Sequence, residues 1–245
     1  MRKLLLCLTG LALTACEQAA PPTEPASEAP TRPAFTLATD EAYDFDRIPS
    51  YLDNHQAVYD YIDANLDDHL GAIQRWLRQR SISAQNDGIQ EMAAMVRQDL
   101  EDMGFAEAEI VPTDGHPGVW GYYDAGADKT LVVYLMYDVQ PVNPEDWESP
   151  PFEARVIDHA LGKVIMARGA THLKGPQRAF LNALESIIAV DGTLPIIDMV
   201  TAGGEEGLGS PHYPRIVAAY EERVKKADAA LCPFNSPRPG GTVSG

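Results

Sequence analysis

The feature that most constrains the fold is an uninterrupted apolar run at residues 130–136, TLVVYLM. A strand without polar alternation predicts burial on both faces, in a sheet with helices on each side. Helical periodicity at 51–79, 89–103, 174–190 and 210–226 supplies those helices. Further strands are predicted at 107–112, 117–123, 195–201 and 228–232, with a hairpin at 153–166. The alternation predicts an α/β fold with a mixed, mostly parallel sheet sandwiched by helices.

The amino terminus has the layout of a secretory signal. Arg2 and Lys3 precede an apolar stretch at 4–13, which is too short to span a bilayer, and small residues lead to Cys16. The sequence LTAC resembles the bacterial lipobox, in which the cysteine is lipidated and becomes the first residue of the mature chain. We therefore predict a lipoprotein signal peptide at 1–16 with lipidation of Cys16. The alternative is an ordinary cleaved signal with a chance cysteine.

Residues 17–45 are rich in Pro, Ala, Glu and Thr, which predicts a disordered tether. The α/β domain is then expected at 46–245, held in the bacterial cell envelope outside the cytoplasm and touching the membrane through its lipid alone. The last part of it, 233–245, is rich in Pro and Gly and follows an interior-type strand. This ending predicts an incomplete domain with an uncovered sheet edge, which a partner would cover unless the gene is truncated.

The net charge narrows the possible partners, and the number of cysteines excludes a disulfide framework. The formal net charge of −17 argues against nucleic acid or an anionic lipid surface as the partner. Of the three cysteines, Cys7 leaves with the signal and Cys16 carries the lipid, so Cys232 stands alone and no disulfide framework is available.

Polar loops follow the predicted buried strands or lead into a predicted helix. They are YDVQP at 137–141, RGATHLKG at 168–175 and GEEGLGS at 204–210. Because sites in α/β sheets lie outside the carboxyl ends of the strands, we expect these loops to meet there. The candidate site residues that they carry are Asp138, His172 and Glu206.

These loops, together with Trp147, SPPF at 149–152 and GSPH at 209–212, occur in one order that resembles the M20 family of metallopeptidases, especially its carnosinase-like dipeptidase branch. The resemblance covers roughly residues 50 to 240, the amino-terminal part of the family's catalytic domain, without its lid domain. It implies a dinuclear metal site, usually zinc, that polarises an amide carbonyl and activates a bridging water. A glutamate base would take the proton of that water.

Several positions depart from the pattern that the resemblance implies. The orienting aspartate is kept as Asp138, but the first metal-binding histidine is replaced by Met136, whose thioether is a poor zinc ligand beside oxygen donors. The bridging aspartate is replaced by His172, which binds one metal at most. The later aspartate falls on or near Phe234.

The glutamate pair of the pattern can be aligned in two ways. With the Gly-Ser turn at 209–210 as anchor, Glu206 is the base and the following ligand position is Gly207, which has no side chain. A slip of one residue makes Glu205 the base and Glu206 the ligand.

Two functions of different class follow. The first is a pseudoenzyme or binding protein without a cofactor, whose partner is a peptide or another protein chain. The second is an active metal-dependent dipeptidase or N-acyl-amino-acid amidohydrolase. It would use Asp138 and Glu206 as catalytic residues and His172 as a zinc ligand in a rewired mononuclear site, or a site that another chain completes. A fragmentary gene product that folds poorly is a third reading.

Overall fold

The computed structural model describes residues 55–160 and 162–234, together with the backbone of 236–237 and 243–244. The predicted signal peptide, Cys16 and the tether lie outside the described residues. Within the described part, no helix is both long enough and apolar enough to cross a membrane.

The secondary structure alternates between helices and strands as the sequence predicts. The strands are β1 (Glu107–Val111), β2 (Gly118–Tyr123), β3 (Thr130–Met136), β4 (Arg155–His159), β5 (Gly162–Met166), β6 (Ile197–Gly203), β7 (Ala229–Leu231), β8 (Ser236–Pro237) and β9 (Val243–Ser244). The helices are α1 (Gln56–Ala64), α2 (Leu66–Arg78), α3 (Ile89–Asp102), α4 (Lys174–Asp191), α5 (Tyr213–Ala219) and α6 (Glu221–Val224).

The main sheet has the strand order β1-β2-β6-β3-β7. β6, β3 and β7 pair in parallel, whereas β2 is antiparallel to both β1 and β6. Among these described strands, β2 alone is antiparallel to the rest. The predicted mixed and mostly parallel sheet is therefore confirmed. β4 and β5 form a separate hairpin, as predicted, and β8 pairs with β9.

Helices cover both faces of the sheet. On one face a large apolar cluster joins α2, α3 and α4 to the sheet through side chains such as Trp76, Leu100, Leu181 and Val133. On the other face, α5 packs Ile216 into a smaller cluster. β3 contributes to both clusters, which is why its sequence lacks polar alternation.

Two predicted helices are each divided in the structure. The pattern at 51–79 breaks at Asn65, whose ψ of 24° leaves the helical range and whose side-chain amide donates to the carbonyl of Tyr61 at 2.8 Å. The pattern at 210–226 begins only at Tyr213, because Ser210 has a φ of 53°, and it breaks again at Tyr220. Local turns decide these boundaries although the apolar periodicity continues across them.

β7 lies at the edge of the main sheet, where the sequence predicted an uncovered edge. All of its residues are exposed, Leu231 by 41%. The strand is shorter than the predicted 228–232, so Cys232 follows β7, and it is partly buried.

Candidate functional site

The three polar loops meet in one pocket of about 50 Å³. They leave β3, precede α4 and follow β6, so the pocket lies outside the carboxyl ends of two parallel strands. Its lining residues are Asp138, Val139, Gln140, Arg168, His172, Leu173, Glu206 and Gly207. The structure therefore brings together the three residues that the sequence selected, Asp138, His172 and Glu206.

Asp138 is fully buried and anchors the loop after β6. Its Oδ1 accepts the backbone N–H of Glu206 at 2.9 Å. Its Oδ2 accepts the backbone N–H of Gly207 at 3.0 Å and the hydroxyl of Ser83 at 2.6 Å. Because a carboxylate has about four acceptor sites, three are already occupied by donors of this chain.

Lys174 fixes the loop before α4 from beneath the pocket. Its ammonium is buried and donates to the carbonyl of Gln79 at 2.5 Å and to the hydroxyl of Ser81 at 2.9 Å. Burial lowers the pKa of Lys174 to about 7, although the charge of Asp138 acts in the opposite direction. The segment after α2 thus holds two loops of the pocket, since the carbonyl of Ser81 also accepts the N–H of Val139 at 2.8 Å.

The two neighbouring glutamates have different roles in the structure. Glu206 lines the pocket, whereas Glu205 turns to His116 and His212. Its Oε1 accepts the backbone N–H of His116 at 2.9 Å, and its Oε2 lies 2.9 Å from Nδ1 of His212. Burial raises the pKa of Glu205, but the hydrogen bonds from His116 and His212 outweigh burial and lower it. Glu206 thus lies in the pocket, where one alignment makes it the base and the other makes it a ligand.

The histidines of this cluster were assigned no joint role by the sequence. Gly115 permits the cluster, because a Cβ there would lie 2.2 Å from Oε1 of Glu205. The local sequence gives no signal for this contact, since 115 and 205 are far apart along the chain.

Two of the positions at which the resemblance expects metal ligands, His172 and Phe234, meet in space. His172 is exposed, and its ring packs edge to face on Phe234 with the centroids 6.1 Å apart. Met136 is buried at the end of β3, where its N–H donates to Oε1 of Gln177 at 2.8 Å. An imidazole, a phenyl ring and a buried thioether therefore stand where the pattern implies two carboxylates and an imidazole.

These side chains do not fit a dinuclear zinc site. Such a site needs imidazole, thiolate or carboxylate donors in sets of three or more, and a carboxylate between the ions. Between residues 55 and 234, Leu161 aside, no group of three or more His, Cys, Asp or Glu side chains is arranged to hold a metal ion.

Arg168 and Gln140 complete the polar lining, and the sequence had assigned neither a role. The guanidinium of Arg168 stands over the ring of Trp147 at 5.2 Å and donates to the carbonyl of Pro141 at 3.5 Å. Its Nε is buried and has no hydrogen-bond partner within the described ranges. The side-chain amide of Gln140 donates to the carbonyl of Gly207 at 3.3 Å.

Gln140 also occupies the space beside Gly207. A Cβ at Gly207 would lie 2.5 Å from Nε2 of Gln140 and 3.3 Å from Oδ2 of Asp138. The side chains of Gln140 and Asp138 thus fill the space that a side chain at 207 would occupy.

No protein-family model matches this sequence. Among curated proteins, the chain is 29% identical over 179 residues to succinyl-diaminopimelate desuccinylase of Psychromonas ingrahamii, covering 71% of this chain and 45% of the relative. It is 27% identical over 186 residues to the Cys-Gly metallodipeptidase dug1 of Schizosaccharomyces pombe, covering 70% of this chain and 38% of that protein. The chain thus spans less than half the length of these relatives.

Solved structures show the same relationship. An M20 family metallo-carboxypeptidase from Sulfolobus solfataricus superposes with a TM-score of 0.63 and 31% identity, covering 71% of this chain and 38% of that one. Human carnosine dipeptidase 1 superposes with a TM-score of 0.61 at 24% identity over 72% of this chain and 40% of that one, which shows the shared fold. The matched fold is part of the M20 catalytic domain, as the resemblance implied.

Proposed function

We propose that this chain, whose homologues and structural neighbours over about 70% of its length are M20 family metallopeptidases, is a binding protein that does not catalyse metal-dependent hydrolysis. Its ligand is a peptide or a segment of another protein chain, received in the pocket at the ends of β3 and β6. It needs no metal cofactor.

The observation that carries this proposal is the hydrogen bonding of Asp138. Three donors of the chain itself hold this carboxylate, so it serves to fix the loop after β6. The neighbouring position 136 contributes a buried thioether, and 207 contributes no side chain. With His172 at the bridging position, no carboxylate remains to join two cations there.

We also propose that the protein is attached to the bacterial cell envelope, outside the cytoplasm, by a lipid on Cys16. The lipobox-like sequence before Cys16 supports this proposal. A Cys16→Ser variant should leave the membrane fraction and appear in the soluble fraction. If the variant stayed with the membrane as fully as the wild type, the lipid anchor would be wrong.

The proposed loss of hydrolysis is tested by the metal content and activity of the purified chain. Zinc measured by elemental analysis should be well below one equivalent per chain. Cys-Gly, carnosine and succinyl-diaminopimelate, chosen from the names of the relatives, should remain intact. Two equivalents of tightly bound zinc, with release of amino acids that a chelator stops, would overturn the proposal.

The second candidate is a hydrolase with one metal ion, or one whose site another chain completes. The observation in its favour is that Asp138, His172 and Glu206 line one pocket. Because these side chains are not arranged to hold an ion by themselves, a further ligand or another chain would have to complete the set. Any chelator-sensitive activity should then disappear in Glu206→Gln and His172→Ala. It should persist in Glu91→Gln, which alters an exposed residue of α3.

A further inference from the structure

We propose that the pocket at the ends of β3 and β6 binds an anion, a carboxylate group of its peptide ligand, through Arg168 with Gln140 and His172. This inference rests on the proposed function, because it requires a pocket without bound metal ions. It changes the expected ligand of this position from a cation to an anion.

Arg168 is the cation available for such a ligand. Other arginines of this acidic chain are paired with carboxylates: Arg155 with Glu153, Arg215 with Asp114 and Arg223 with Glu107. Arg168 forms no ion pair within the described ranges, although it lines the pocket. Its positive charge is therefore not neutralised by a side chain of this part of the chain.

The guanidinium is also held in place before any ligand arrives. Trp147 lies against it at 5.2 Å, and a cation above an indole face is stabilised by the ring electrons. Its terminal N–H groups form one hydrogen bond within the described ranges, to the carbonyl of Pro141 at 3.5 Å, so donors remain for a ligand. A planar guanidinium with free donors matches the two oxygens of a carboxylate.

Two acids also line the pocket, and neither forms an ion pair with Arg168 within the described ranges. Asp138 instead accepts three hydrogen bonds from this chain. Glu206 is the other acid of the lining, to which Gln140 and His172 add polar groups that can donate to a ligand. An aspartate at 172, as the resemblance implies, would have added a third carboxylate to the lining.

The pocket volume limits the ligand. About 50 Å³ is enough for a carboxylate group with a short apolar chain. The pocket therefore recognises the acidic end of a ligand, whose remainder extends outward over the exposed ring of His172.

A pair of probes tests the charge of the ligand directly. Propionate and propionamide have nearly the same shape, and each is titrated by NMR into the purified protein with a chelator present. Propionate should shift the resonances of the three pocket loops, and propionamide should not. Equal binding of both probes, or no binding of propionate at concentrations of tens of millimolar, would overturn the anion site.

Two variants locate the site. Arg168→Gln should weaken propionate binding about tenfold or more, as expected when a charge-assisted bond is lost. Arg155→Gln, which removes an exposed arginine of the β4–β5 hairpin, should bind like the wild type. Gln140→Ala, expected to weaken binding about threefold, provides the test if Arg168→Gln melts at a much lower temperature. Unchanged affinity in a folded Arg168→Gln, or in Gln140→Ala if Arg168→Gln does not fold, would overturn the proposal.

A failure of the anion site can be distinguished from a failure of the proposed function. Binding of propionate only after zinc is restored would mean that a metal ion captures the carboxylate, and both proposals would fail. Absence of binding with and without zinc would remove the anion site alone, because loss of hydrolysis is decided by zinc content and dipeptide cleavage.

Discussion

The sheet has a buried aspartate near each end, and the two differ in their hydrogen bonding. Asp138, directly after β3, and Asp198, near the start of β6, are both fully buried. Asp138 receives three hydrogen bonds, whereas neither oxygen of Asp198 has a partner among the residues that the structure describes. Burial raises the pKa of Asp198 to about 7.

The difference arises from the backbone around each side chain. At the carboxyl end of the sheet the loops are irregular, so their N–H groups are free to point at Asp138. Asp198 lies within the strand ladder opposite Tyr123 and Leu131, where backbone groups bond to neighbouring strands. A buried acid is therefore stabilised where regular structure ends and is costly within it.

The largest effect is expected from Asp138→Ala. Three donors, two of them backbone N–H groups of the loop after β6, would lose their acceptor. The free energy of unfolding should fall by about 3 to 5 kcal/mol. Urea unfolding followed by circular dichroism measures it, with Asp158→Ala in the exposed hairpin as the control. A loss no larger than that of the control would mean that Asp138 is not the anchor of the loop.

Asp198→Asn should have the next largest effect, and one that depends on pH. Below about pH 4 the carboxyl is protonated in both states, and between about pH 4 and 7 only the folded state keeps the proton. The stability of the wild type should thus fall as pH rises through this window, by at most about 1.4 kcal/mol per pH unit. The variant lacks this slope and should be more stable by about 2 to 3 kcal/mol near pH 6.

Urea unfolding of the wild type and the variant between pH 4 and 8 gives the two slopes. Asp158→Asn, at an exposed position, is the control and should follow the wild type. Parallel curves for wild type and Asp198→Asn would show that Asp198 is partnered or hydrated in solution.

The smallest effect is expected from Ser83→Ala. It removes one of the three donors to Asp138 and leaves the two backbone bonds, so the cost should be about 1 kcal/mol. Ser149→Ala is a matched control, because the hydroxyl of Ser149 is buried without a hydrogen-bond partner within the described ranges. Thermal and urea unfolding of both variants make the comparison. Equal costs at 83 and 149 would contradict the role of Ser83.

The sequence predicted the sheet well because its signal is strong and local. The apolar run at 130–136 indicated a strand buried on both faces, and β3 occupies that position between β6 and β7. Helix interruptions at Asn65 and Tyr220 were missed, because the apolar pattern continues through both turns. Periodicity reports which face is buried and is insensitive to a single residue that leaves the helix.

The site was predictable only in part. The order of the loops placed Asp138, His172 and Glu206 together, since the ends of parallel strands converge. The orientation of Glu205 was not predictable, because it depends on Gly115 and His212. The position of Arg168 against Trp147 likewise depends on how two loops pack and not on the order of residues.

The packing of Gln140 beside Gly207 determines what a side chain introduced at 207 would displace. A glutamate introduced at 207 would place its Cβ 2.5 Å from Nε2 of Gln140, so the side-chain amide of Gln140 would have to leave that space. Gln140 would then give up its bond to the carbonyl of Gly207. Because Gln140 is exposed, its side chain can turn into solvent, so a side chain at 207 costs one hydrogen bond and leaves the loop backbone in place.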